Sequence, residues 1–251
     1  MQKLIISSDK YRFCLKGMKR QLSKYWKEPG LHFKVLDFSP HELLDCELFS
    51  HETMGENFSD KTPWHQALSG FFETAEEDYF FLCFEDHFLI DNVNIELLRK
   101  AEKIIHSDES VSKIRLLPKY QDHQNLEEYD ENFWKAPIKA HGYVHTSLRP
   151  SVWKKEFFLK LLKNPSAINN PFEFEYKNDP LIFSETVLIP RNPYPIFPDL
   201  DAMRKGVPNE LDLPQGEISE GEINMDYYNL NLKKEDIVVF NEVRKEWGGQ
   251  L

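Results

Sequence analysis

At 251 residues the chain is long enough for one large α/β domain, alone or with a C-terminal appendage, and too long to be a mini-protein. A net charge of −11 opposes non-specific binding to nucleic acid, and three widely spaced cysteines (Cys14, Cys46, Cys83) without CxxC or Cys/His spacing support neither a disulfide framework nor a zinc site. No run approaches the roughly 20 apolar residues of a bilayer span, and Met1 leads into a strand-like segment rather than a basic and apolar leader, so a cytoplasmic protein is expected.

Residues 4–8, an apolar run ending in Ser7-Ser8-Asp9, predict a buried first strand that carries Asp9 and Lys10 past its C-terminal end. A helix over 15–26 and a strand over 33–38 follow, and the polar stretch 50–62 predicts a loop. Trp64, Ala67, Leu68, Phe71, Phe72 and Ala75 recur at three- and four-residue steps, which predicts a helix with Pro63 in its first turn. Residues 79–84 are continuously apolar and aromatic, too short for a helix and bounded by acids, so they predict a buried central strand that delivers Glu85-Asp86-His87 at its end.

Asn94 is placed to cap a helix over 95–105, and residues 112–117 predict the next strand. The order βαβαβαβ argues for a mainly parallel sheet with helices on its faces, whose ligands gather beyond the carboxyl ends of the strands. Farther on, 121–137 is polar and acidic and predicts a mobile connection or lid. Residues 141–147 predict a further strand, and Pro150 a helix burying Val152, Trp153, Phe157, Leu161 and Leu162. Residues 190–222 predict an extended tail over the core, and 236–240 a weak strand. The expected organisation is a catalytic core over 1–190 with 191–251 packed on it as a C-terminal segment, within a single domain.

The chemistry-bearing candidates fall at these strand ends. Glu85 and Asp86 follow a hydrophobic strand, where charge is costly unless something binds it, and hard carboxylate oxygens suit Mg²⁺ or Mn²⁺ bridging two phosphates. The competing reading is an acidic strand end that faces water. Pro171-Phe172-Glu173-Phe174-Glu175 sets two acids among aromatics, an environment that suits a carboxylate to general-base work. If extended, the segment points Glu173 and Glu175 the same way, and either would serve as base. Arg149 has the fork to pair with phosphate, the competing reading being a structural arginine beside a helix start, and Arg204 with Lys205 would neutralise a diphosphate from a closing tail or form a solvated basic turn.

Taken in order, these motifs resemble a group of bacterial and viral GT-A glycosyltransferases. The family opens with a strand and Ser-Cys-Asp-Lys-Tyr, then Tyr-Trp after the next helix, similar to Ser7-Ser8-Asp9-Lys10-Tyr11 and Tyr25-Trp26. Its Trp-led helix and Leu-Glu-Asp motif resemble Trp64 and Phe84-Glu85-Asp86. Its Ser-Leu-Gln-Pro…Trp and Pro-Trp-Glu-Phe-Glu motifs resemble Ser147 to Trp153 and Pro171 to Glu175, and a late Lys-Gly matches Lys205-Gly206. The likeness spans roughly residues 3–207 and departs from the pattern at His87, at Arg149 in place of glutamine and at Phe172 in place of tryptophan.

The resemblance implies a GT-A-like (Rossmann-like) α/β fold and a transferase that moves a sugar from a nucleotide-sugar donor to an acceptor hydroxyl. It implies donor-binding residues Asp9, Lys10, Tyr11, Trp64, Arg149, Arg204 and Lys205, with Asp9 and Tyr11 at the base. Glu85, Asp86 and His87 fall at the metal and diphosphate motif, for Mn²⁺ or Mg²⁺, and Glu175 is the first choice for base. A single displacement would invert the anomeric centre, with retention left open. The acceptor would be a glycan or another hydroxyl bearer, a nucleic-acid acceptor being disfavoured by the net charge. The alternatives are a catalytically silent nucleotide-sugar-binding domain on the same scaffold and a metal-dependent phosphoryl hydrolase using the Glu-Asp-His cluster.

Overall fold

The computed structural model describes residues 1–38, 47–54, 63–118, 126–136, 145–164, 171–178, 185–204, 207–208 and 232–248. In chain order the elements are β1 (Gln2–Ser7), α1 (Cys14–Tyr25), β2 (Phe33–Asp37), β3 (Phe49–Thr53), α2 (Trp64–Thr74), β4 (Tyr79–Phe84), β5 (His87–Leu89) and α3 (Ile95–Ser107). Then come β6 (Val111–Arg115), β7 (Glu127–Glu128), β8 (Phe133–Lys135), β9 (Ser151–Lys154), α4 (Lys155–Leu162), α5 (Pro171–Lys177) and β10 (Thr186–Pro190). The last are β11 (Asp199–Asp201), the short pair β12 (Met203–Arg204) and β13 (Val207–Pro208), and α6 (Lys234–Gly248).

Nine strands form one sheet in the order β3-β2-β1-β4-β9-β6-β10-β8-β7, in which only β8 and β9 run against the rest. Because a pleated strand sends successive side chains to opposite faces, Ile5, Val35, Phe81 and Cys83 enter one core. Leu4, Ile6, Leu36, Phe80 and Leu82 enter the other. Helices α1, α3 and α6 cover the first face and α2, α4 and α5 the second, so both faces are dry, as the near-continuous apolar runs of β1 and β4 require. This is the expected α/β class, a mainly parallel central sheet with helices on both faces. Cys14 and Cys83 are buried with thiols pushed up by that burial, and Cys46 lies outside the described residues.

Several expectations are corrected. Residues 50–53 are not loop but most of edge strand β3, paired in parallel with β2; an edge strand need not be apolar, and here only Phe49 is fully buried. The rest of that loop, 55–62, lies outside the described residues. The helix expected from Pro150 begins only at Lys155, because Ser151–Lys154 is β9, threaded antiparallel between β4 and β6. Val152 and Trp153 mimic a helical stripe, yet they enter opposite cores, which is a strand's period.

The proposed lid contains, over 126–136, the hairpin β7–β8 that closes the sheet edge on Phe133, a fully buried side chain. His145 and Thr146 form a turn and Ser147 is irregular, so 145–147 is not strand, and 141–144 lies outside the described residues. Residues 236–240 belong to helix α6: Ile237-Val238-Val239-Phe240 is too short an apolar run for its period to be read, and Asp236, Val239, Phe240 and Val243 share its buried face.

Helix α6 lies along α1. Asp236 meets Lys24 and Tyr25 near the end of α1, Glu242 pairs with Arg20, and Trp247 reaches Tyr11 and Phe13 just before its start. Gly17 lets α1 approach this closely. A Cβ there would stand 2.6 Å from Phe88 Cζ and 3.1 Å from Val239 Cγ1, and Phe88 is held by Phe240 behind it. Gly17→Ala should therefore cost about 1–3 kcal/mol despite alanine's better helix propensity, as measured by chemical denaturation. Among the described residues no helix is long and apolar enough to cross a membrane.

Candidate active site

Strands β1 and β4 are parallel neighbours, with Ile6 opposite Phe84. From β1 the chain steps outward to β2 and β3, then returns to place β4 on the other side of β1, so the strand order reverses between them. A crevice beyond the carboxyl ends of two such strands is where open α/β sheets bind ligands.

Ser8 and Glu85 meet there. Glu85 Oε1 accepts hydrogen bonds from Ser8 N at 2.9 Å and Ser8 Oγ at 2.8 Å, tying the two strand ends together. Burial pushes the Glu85 carboxyl up to about 7, against the opposing pull of these bonds. Asp86 is held well above the usual carboxylate range by burial and by the charges of Asp201 and Glu85, with Arg149 acting in the opposite sense.

His87 opens β5, which pairs antiparallel with β11 so that His87 faces Asp201 and Leu89 faces Asp199. Its Nδ1 accepts the Phe84 N–H at 3.2 Å and its Nε2 stands 3.8 Å from Asp201 Oδ1; burial pushes its pKa down to about 3. Asp199 is fully buried, pushed up to about 7 by that burial, and neither carboxylate oxygen accepts a hydrogen bond among the described residues. Arg149 pairs through Nη1 with Asp201 Oδ1 and stands 3.5 Å from Asp199 Oδ2. His87, Asp199 and Asp201 each offer one ligand atom, all within 4.8 Å of one another, so the cluster is compact enough to share one cation. Two carboxylates suit a hard divalent ion. The histidine suits it less, because the Phe84 N–H holds Nδ1 unprotonated and leaves the ring proton on Nε2.

A second polar group lies at the ends of β1 and β2, beside the middle of β3. Arg12 Nη2 donates to Asp9 Oδ1 at 3.3 Å and Asp37 Oδ1 at 3.0 Å, and His51 Nδ1 lies 2.5 Å from Asp37 Oδ2. Beside it Lys10 Nζ sits 5.1 Å from the Tyr11 ring centroid and 5.3 Å from that of Trp247, an aromatic platform with a cation on it.

Helix α5 carries Glu173 and Glu175. The extended reading of this segment is corrected: Pro171 starts a helix, as proline does at a first turn, and residues two apart on a helix sit roughly 200° apart, so the two glutamates do not point the same way. Glu175 Oε1 accepts from Leu148 N at 2.6 Å and its carbonyl accepts from Thr146 Oγ1 at 2.8 Å. The helix is thereby clamped to the segment that carries Arg149. Polar contacts thus join Glu175 to Leu148, Arg149 to Asp199 and Asp201, His87 to Asp201, and Glu85 to Ser8, and chain adjacency sets Arg149 beside Leu148, Asp86 between Glu85 and His87, and Asp9 after Ser8.

Trp64 stands apart from this arc. It is buried, packed edge-on against Phe174 at 5.4 Å in the second core. Arg204 lies on β12 and Lys205 lies outside the described residues. Sequence reasoning missed Asp199 and Asp201, although Phe197-Pro198-Asp199-Leu200-Asp201 alternates apolar with acidic, and acids two apart on a strand share a face. That rule was applied to Glu173 and Glu175, which are helical, and it describes Asp199 and Asp201.

The raised carboxyls carry a pH signature. Between the ordinary value of 4.5 and about 7, native Glu85 keeps a proton that the unfolded chain releases, so its contribution to stability falls as pH rises through that window. Glu85→Gln keeps an acceptor for Ser8 and has no charge to desolvate. Its melting temperature relative to wild type should rise from pH 4.5 to 7 and then level off; a flat difference would contradict the assignment.

No protein-family profile and no curated protein matches the chain. Among solved structures it is similar to S. aureus TarS 1-349 in complex with UDP-GlcNAc, at 12% identity over 98% of this chain and 80% of that one, TM-score 0.48. Another structure of S. aureus TarS 1-349 gives 12% identity over 75% of this chain and 58% of that one, TM-score 0.46. A cytidylyltransferase from Leptospira borgpetersenii gives 14% identity over 98% and 94%, TM-score 0.43. In the second of these comparisons the chain spans less than two thirds of its neighbour's length.

Proposed function

We propose that the chain is a nucleotide-sugar-dependent glycosyltransferase that moves a sugar to an acceptor hydroxyl by a single, inverting displacement. The observation that carries this reading is the meeting of Ser8, Glu85, Asp86 and His87 with Asp199, Asp201 and Arg149 at the point where the strand order reverses. A plain acidic strand end would face water; here Glu85, His87 and Asp199 are buried.

In this reading the donor's base lies over Asp9, Tyr11 and the Arg12–Asp37–His51 group, with Lys10 at its rim. Its diphosphate lies toward Asp86 and Arg149. Glu85 contributes by holding the Ser8 backbone, which shapes the floor of the crevice. A bound Mn²⁺ or Mg²⁺, held by Asp199 and Asp201 beside His87, would add positive charge near the departing diphosphate. Glu175, on the far side of Arg149, takes the proton of the acceptor hydroxyl as that oxygen bonds to the anomeric carbon. The bond from the anomeric carbon to the diphosphate oxygen breaks in the same step, and its electron pair leaves with the nucleoside diphosphate.

The test is release of nucleoside diphosphate from a panel of nucleotide sugars with Mn²⁺ present. Wild type should hydrolyse one donor slowly, and Glu85→Ala combined with Asp86→Ala should lower that rate by about 100-fold or more. Inorganic phosphate as the product would instead indicate a phosphoryl hydrolase. Binding of a nucleotide sugar with no release under any acceptor would indicate a silent binding domain.

A further inference from the structure

Arg149 holds Asp199 and Asp201 in an unusual way. A guanidinium normally meets carboxylates with its fork, one nitrogen to each oxygen. Here its pairs with these two acids both run through one atom, Nη1, so neither acid is met by the fork among the described residues. Asp199 is wholly buried at 3.5 Å from that atom, and neither of its oxygens is hydrogen-bonded among the described residues. A buried carboxylate so poorly served is costly, and a small divalent ion between the two acids would serve it better. His87 keeps its Nδ1 on the Phe84 N–H, which assigns the ligand role to the carboxylates and leaves the histidine as their neighbour.

We propose that a divalent cation and the Arg149 guanidinium exchange on Asp199 and Asp201: the ion enters as the guanidinium swings out, and the released fork meets a phosphate of the donor. The destination of the fork rests on the glycosyltransferase reading, whereas the exchange itself does not. Arg149 is then a positioning residue whose place depends on whether the ion is bound, so that ion and donor bind with positive coupling.

Mn²⁺ alone, titrated calorimetrically into the full chain, tests the exchange. Arg149→Gln removes the competing charge and should bind Mn²⁺ about tenfold more tightly than wild type, and adding Asp201→Asn should abolish the gain. Equal or weaker binding in Arg149→Gln would overturn the proposal. Should that variant not fold, the wild type carries the test through phenylglyoxal labelling read by mass spectrometry: Mn²⁺ should speed modification of Arg149, and an unchanged rate would overturn it. A separate arm measures UDP, GDP, ADP and CDP with saturating Mn²⁺. If none binds while Arg149→Gln still gains Mn²⁺ affinity, the donor reading fails and the exchange stands. If one binds and Mn²⁺ affinity does not change, the exchange fails and the donor reading stands.

Discussion

Replacing Glu175 by glutamine is expected to lower transfer by about 10²- to 10⁴-fold, the range a positioned general base contributes, while nucleotide affinity stays within about twofold of wild type. The substitution is clean for a structural reason. Glu175 Oε1 is the acceptor for Leu148 N, and a glutamine amide oxygen can accept the same bond, so α5 should stay clamped to the Arg149 segment. What disappears is the charge and the proton-accepting capacity. Steady-state kinetics should therefore show the loss in kcat rather than in KM. Unchanged turnover would remove Glu175 from the role, and Glu173, on another face of α5, would be the residue to test next.

The largest stability effect is expected away from the crevice, at Asp236. This fully buried carboxylate accepts from Gln21 Nε2 at 3.0 Å, Lys24 Nζ at 2.8 Å, Tyr25 Oη at 2.7 Å and the Lys233 backbone N at 3.2 Å. Asp236→Ala leaves the buried Gln21 and Tyr25 without their acceptor and should cost about 3 kcal/mol. For a chain of this size that corresponds to a fall in Tm on the order of 10 °C. Asp236→Asn, which keeps two acceptor lone pairs, should cost less. Burial, aided by Asp236, pushes the Tyr25 hydroxyl up to about 12, so its ultraviolet titration should move down in the alanine variant. The same helix brings Trp247 to Lys10 and Tyr11, so loosening it at Asp236 should also weaken nucleotide binding. Full stability in Asp236→Ala would refute this account of how α6 is attached.

The sequence made the first half of the sheet legible for a physical reason. The interiors of β1, β2 and β4 are apolar because helices cover both faces, and α1, α2 and α3 repeat their buried residues at helical spacing. Asn94 caps α3 through its side chain as its position before Ile95 suggests, accepting from Leu97 N. Periodicity failed where elements are short or where two abut. Val152-Trp153 runs into Phe157-Phe158 with no turn residue between strand and helix, and Phe172-Glu173-Phe174-Glu175 alternates like a strand while Pro171 starts a helix.

The candidate site divides in the same way. Glu85, Asp86 and His87 are readable because they follow a strand that is plain in the sequence. Asp199 and Asp201 enter only through the antiparallel pairing of β11 with β5, a contact across 110 residues of chain that no local pattern announces. Arg149 reads in the sequence as a phosphate ligand, whereas in the structure it is ion-paired with those two acids.

Titration of the wild-type protein with nucleoside diphosphates in the presence of Mn²⁺, repeated with Asp86→Asn, reaches the heart of this account. One diphosphate should bind one-to-one and saturably, and the asparagine variant should lose at least about tenfold in affinity. If no diphosphate binds, or if the variant binds as well as wild type, the ends of β1 and β4 are not a donor site.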